Sequence, residues 1–99
     1  MADFVVVVTF RTTPDNHADA LTLLDEYIDG FLRKQPGFIE SRLNESNEGS
    51  GYLHYARWVR EADFRAFAEK AQGHELLPEI RKLDASAEFY HVARHYLPD

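Results

Sequence analysis

The chain has no cysteine, one methionine and one tryptophan among its 99 residues. Without cysteine there is no disulfide, no thiolate metal site and no Cys nucleophile. Positive charge is also short: 11 Lys and Arg stand against 17 Asp and Glu, a formal net of -6. A surface for nucleic acid or an anionic membrane carries the opposite sign, so neither partner is expected. The apolar stretch Phe4–Val8 is too short to span a bilayer. Met1-Ala2-Asp3 lacks the basic segment and small-residue cleavage site of a secretory signal, which gives the expectation of a cytoplasmic protein. Repeats, low-complexity stretches and linkers are missing too, and the length leaves no room for a dinucleotide fold plus a substrate domain. One domain over 1–99 is expected.

What the chain does have is an ordinary globular composition, 44% hydrophobic and 28% charged, with a 13% aromatic share and five histidines besides. Asp3–Thr12 is β-branched and aromatic, and such a run suits a central strand. Thr13-Pro14-Asp15 predicts a helix start, with a hydroxyl cap followed by Pro in the first turn. Leu21, Leu24, Ile28 and Phe31 then mark one apolar stripe as far as Leu32, and Pro36-Gly37 stops the helix. Gly30 lies inside that pattern, where it costs about 1 kcal/mol against Ala.

Phe38–Ser46 alternates as a strand, with Ile39, Ser41 and Leu43 on one face. Asn47–Gly51 predicts a turn and Tyr52–Val59 the returning strand of a hairpin. Glu61–Lys70 carries Phe64, Phe67, Ala68 and Ala71 at helical spacing, and Gln72-Gly73 breaks it. A second helical piece holds Leu76, Leu77, Ile80 and Leu83, with Pro78 acceptable only in its first turn. Ala85–Leu97 closes the chain as a long strand.

The order β-α-β-β-α-β predicts an α+β, ferredoxin-like domain, an antiparallel sheet with its helices on one face. Helices on one side leave the other side bare. Residues such as Leu53, Tyr55 and Val59 would lie there, too apolar to stay wet, so a second copy packing sheet to sheet is the expectation.

Specific residues add a resemblance. Pro36-Gly37-Phe38-Ile39 opens the second strand, with Leu43 and Ser46 further along it. Trp58 ends the third strand, Arg60-Glu61-Ala62-Asp63-Phe64 leads into the next helix, and His74 follows. Together these resemble the antibiotic biosynthesis monooxygenase superfamily, small dimeric α/β-barrel proteins, over residues 3–97. The resemblance implies a pocket between helices and sheet, and cofactor-independent oxygenation of a small aromatic, polyketide or quinol-type substrate by O2. The substrate itself supplies the electrons as its anion, while the protein binds, deprotonates and excludes water.

Alternation puts Tyr52, His54, Ala56 and Trp58 on one strand face. His54 is the candidate base, since an imidazole can take a phenolic proton at neutral pH. Monooxygenase members of the family carry an amide at this place, so the histidine is a departure, and a structural or interface-facing role is the alternative. Trp58 and Phe64 are the residues expected to stack on a flat substrate, with simple core packing as the alternative for Trp58. His74 would gate or polarise, or merely cap the helix break. Tyr52 would orient a substrate oxygen, or pack. Arg81 would hold an anionic group at the pocket mouth, or stay solvated.

His91 and His95 lie on one strand face about 13 Å apart, too far to share a metal, and no HExxH motif accompanies them. The resemblance also takes in haem degraders, which carry an asparagine in the first strand and a haem-ligating histidine beyond the His74 position. Here those places hold Val6, Val7 and Thr9, and Pro78 and Glu79. A cofactor-free oxygenase is therefore the primary expectation, a non-enzymatic small-molecule binding or sensing dimer the first alternative, and a haem-binding protein the second.

Overall fold

The computed structural model describes residues 3–99. Four strands form one antiparallel sheet: β1 (Phe4–Arg11), β2 (Phe38–Glu45), β3 (Gly51–Trp58) and β4 (Ser86–His91), in the order β2-β3-β1-β4. Three helices join them: α1 (His17–Gly30), α2 (Glu61–Ala71) and the short α3 (Leu77–Arg81). This is the ferredoxin-like α+β arrangement, and in the single chain the sheet is open, with β2 and β4 as its edges.

The β-branched run at Val5–Val8 occupies a central strand, flanked by β3 and β4. Val6 and Phe10 on one face of β1 join Tyr52, Ala56 and Trp58 of β3 in the core. Ala20, Leu24 and Tyr27 of α1, and Phe67 and Ala71 of α2, close over them. That apolar burial is the main stabilising force in a domain of this size.

The structure refines several boundaries. α1 begins at His17, not after Thr13: the Thr13 carbonyl accepts from the amides of Asn16 and His17, so Pro14 lies in a preceding turn. Gly30 is the last residue of α1, followed by a 3-10 turn at Leu32–Lys34 that carries the chain to Pro36-Gly37. Pro78 does fall in the first turn of α3. In β2, a bulge between Phe38 and Glu40 makes Ile39 the extra residue. Phe38 therefore pairs with Trp58 and joins Ser41 and Leu43 on the helix-covered face, the place expected for Ile39. β4 stops at His91, where its partner β1 runs out at Phe4, so residues 92–97 continue unpaired where a longer strand was expected.

Candidate active site

Strand alternation brings Tyr52, His54, Ala56 and Trp58 onto the helix-covered face of β3, all of them buried. Trp58 is fully buried and His54 is 5% exposed. Their Cα atoms lie about 13 Å apart along the strand, and the small Ala56 between them leaves the row low at its centre. Two polar atoms in this row have no hydrogen-bond partner among the described residues, His54 Nε2 and Trp58 Nε1. Burial pushes the His54 pKa down to about 4, so its ring is neutral at neutral pH. A buried uncharged imidazole nitrogen and a buried indole N–H, neither paired with a described residue, are an uncommon pair in a small core.

Aromatic rings wall the Trp58 end. Phe38 and Phe64 meet its indole edge-on at 5.7 and 5.8 Å, and Phe67 lies at 5.3 Å. Phe64 reaches Trp58 because Arg60 is extended and Glu61 opens α2, which places Phe64 in the first turn above the strand end. The rings continue outward from Phe64 to Phe89 at 5.6 Å, and Phe89 stacks on Phe4 at 5.9 Å.

The other sequence-predicted residues have engaged side chains. Tyr52 donates its hydroxyl to the His17 carbonyl at 2.8 Å and stacks on the His17 ring at 4.6 Å. Burial, with Glu45 nearby, raises the Tyr52 pKa. His74 accepts the Leu76 amide on Nδ1 at 3.1 Å, just ahead of α3, and packs against Phe31 and Tyr27 at 4.5 and 5.2 Å. The bond closes a two-residue turn ahead of α3 and reaches no amide of the helix itself. Arg81 is exposed on α3 and donates to Gln72 at 2.9 Å. The structure thus gathers Trp58 and Phe64, places His54 further along the same row, and gives Tyr52, His74 and Arg81 local partners.

One group had no signal in the sequence. His17 sits with Nε2 2.7 Å from Glu45 Oε2 and Nδ1 2.6 Å from Thr12 Oγ1. A carboxylate only accepts, so in the neutral ring Nε2 carries the proton and Nδ1 takes the Thr12 hydroxyl hydrogen. This cluster fixes the Tyr52 end of the row. Thr12 and His17 are near neighbours in sequence, but Glu45 lies 28 residues from His17 and meets it only in the folded chain.

Fold and site together define the class: the chain belongs to the antibiotic biosynthesis monooxygenase family, whose model matches residues 3–77. Among characterised proteins it is 32% identical over 63 residues to tetracenomycin-F1 monooxygenase of Streptomyces glaucescens. That match takes in 64% of this chain and 56% of the relative, so the chain spans little more than half of its length. Among solved structures it is similar to the ActVA-Orf6 monooxygenase of Streptomyces coelicolor in complex with nanaomycin D. There the TM-score is 0.82 and the identity 25%, over 99% of this chain and 94% of that one. The fold is also that of SnoaB, a cofactor-independent oxygenase from Streptomyces nogalater, at TM-score 0.83 and 20% identity over 98% of each chain.

Proposed function

We propose that this protein is a cofactor-independent monooxygenase that oxidises a small aromatic, polyketide or quinol-type substrate with O2 in the His54–Ala56–Trp58 row. The pair of buried, partnerless polar atoms at His54 Nε2 and Trp58 Nε1 carries the reading. A native core leaves such atoms unpaired at a cost of about 1–3 kcal/mol each, and a ring bearing two oxygens would satisfy both. Membership of a monooxygenase family, and the nanaomycin D held by the ActVA-Orf6 relative, support that occupant.

In this reading a flat substrate lies over Ala56 with a carbonyl oxygen on the Trp58 N–H and a hydroxyl on His54 Nε2. Phe64 and Phe38 hold the ring plane. Neutral His54 takes the hydroxyl proton, and the electron-rich anion then reduces O2. For a methylene between rings, one oxygen atom ends as the new carbonyl and the other leaves with both hydrogens as water, so no external reductant is needed. The dry walls keep the peroxide intermediate from solvent. Tyr52 closes one end of the row, and His74 holds the α2–α3 junction over the other. A second copy of the chain would cover the helix-free face of the sheet and complete a dimeric barrel.

Oxygen uptake with 1,4-dihydroxynaphthalene tests the assignment. His54→Ala should lower kcat/KM at least a hundredfold, the ordinary worth of a positioned base, with an unchanged circular dichroism spectrum. Undiminished turnover in that variant removes His54 from the chemistry. Binding to the wild type without oxygen uptake would instead describe a small-molecule binding protein.

A further inference from the structure

The row is sealed, so a substrate must reach it past some wall. Three cavities on the surface bear on the route. One, about 630 Å³, is lined by Val5, Val7, Tyr55, Arg57 and Tyr90 and lies on the opposite face of the sheet. A second, about 570 Å³, lies at the Tyr52 end, where Tyr52 stacked on His17 blocks the way inward. The third, about 370 Å³, runs between α1 and the edge strand β2. Its β2 wall includes Phe38, Ser41 and Leu43, and these pair across the sheet with Trp58, Ala56 and His54 in that order. Directly opposed residues on one sheet face lie about 5 Å apart. One side-chain layer therefore separates this groove from the whole length of the row, and that layer is thinnest where Ser41 faces Ala56.

Resting on the reading given above, we propose that the α1–β2 groove is the outer substrate site and that the Ser41–Ala56 gap is the throat into the buried row. The volume lies within the usual range for small-molecule sites, and the Ile39 bulge falls where the groove passes Phe38. On the rim Arg33 is paired with Asp29 at 2.8 Å and Glu40 with Arg57, and Asp25 adds a further carboxylate. A rim whose guanidinium is already paired offers an anion no cation and still accepts hydrogen bonds, so the groove takes neutral planar hydroxyaryl rings. The hydroxyl is then deprotonated inside, at His54, and not before.

Two properties of the chain give a direct test: its only tryptophan is Trp58, and it has no cysteine. Stopped-flow quenching of Trp58 fluorescence by 1,8-dihydroxyanthraquinone reads arrival in the row. Ser41→Cys, labelled after folding with a bulky maleimide, should associate at least tenfold more slowly than the same variant unlabelled. Ser50→Cys, labelled in the same way at the mouth of the second cavity, should change its rate less than twofold on labelling. Anthraquinone-2-carboxylate should associate at least tenfold more slowly than the dihydroxy probe. An unchanged rate on labelling Ser41→Cys, or slowing only on labelling Ser50→Cys, overturns the groove and leaves the site intact. Equal rates for the two probes overturn the ligand class. Absence of any quenching in the wild type overturns the underlying site and the groove with it.

Discussion

His54 carries a stability cost through its burial and, on the proposed reading, a chemical use. Its unfolded pKa is near 6.5, and burial lowers it to about 4 in the fold. As pH falls below 6.5 the unfolded chain takes a proton that the native state refuses, so stability drops with pH until about pH 4 and then levels. The full effect is about 3 kcal/mol. Replacing His54 with Gln should flatten this stretch of the curve, as read from urea midpoints between pH 7 and pH 4. A slope unchanged in the variant would assign the acid sensitivity to other groups. The same burial fixes the kinetic signature: kcat/KM reports ionisations of the free enzyme, so it should show no acidic limb near pH 6.5 and hold down to about pH 5. His54 becomes a stronger base only once the substrate anion lies beside it, because an opposite charge at close range favours the imidazolium.

At the scale of elements, the wall over the row depends on two junctions. Gly37 has φ of +84°, and a Cβ there would run into the Asp63 side chain at the start of α2. Its carbonyl also accepts the Val59 amide at 2.8 Å. Gly37→Ala should therefore cost roughly 2–4 kcal/mol in denaturant unfolding, from the left-handed backbone and the clash combined. His74 does similar service ahead of α3. Losing its bond to the Leu76 amide and its contacts with Phe31 and Tyr27 should cost about 2 kcal/mol in His74→Ala. Asn at that position keeps an acceptor and should recover part of the loss, with kcat within twofold of wild type; a large fall in kcat for the Asn variant would give His74 a chemical role. The elements were legible because hydrophobic period and Pro-Gly punctuation act locally, and so was the shared face of Tyr52, His54 and Trp58. The Ile39 bulge was not, since an inserted residue preserves apparent alternation while moving Phe38 to the inner face. Nor was the Thr12–His17–Glu45 cluster, because Glu45 lies 28 residues from His17 and reaches it only in the fold. The engagement of Tyr52 by the His17 carbonyl was equally hidden, because a backbone acceptor leaves no trace in residue identity.

For the molecule as a whole, the proposed pairing rests on the helix-free face of the sheet. Val5, Val7, Leu53, Tyr55 and Tyr90 share it, and β3 leads off to an exposed Val59. Charge on that face is largely matched within the chain, with Arg57 held between Asp3 and Glu40. A second copy related by a two-fold axis would thus meet apolar side chains and matched charges, the condition for a self-complementary interface. Beyond β4, Tyr96 and Leu97 are about four-fifths exposed and would extend the contact. Light scattering should give twice the 11.5 kDa chain mass for the wild type. Leu53→Lys combined with Tyr55→Lys sets four like charges across the axis and should yield a folded monomer, whereas an undiminished dimer would place the interface elsewhere. Because the His54–Trp58 row lies within one subunit on the other side of the sheet, that monomer should keep oxygen uptake per chain within about threefold. A much larger loss would mean that the partner shapes the row through the sheet, and that pairing is a condition of catalysis.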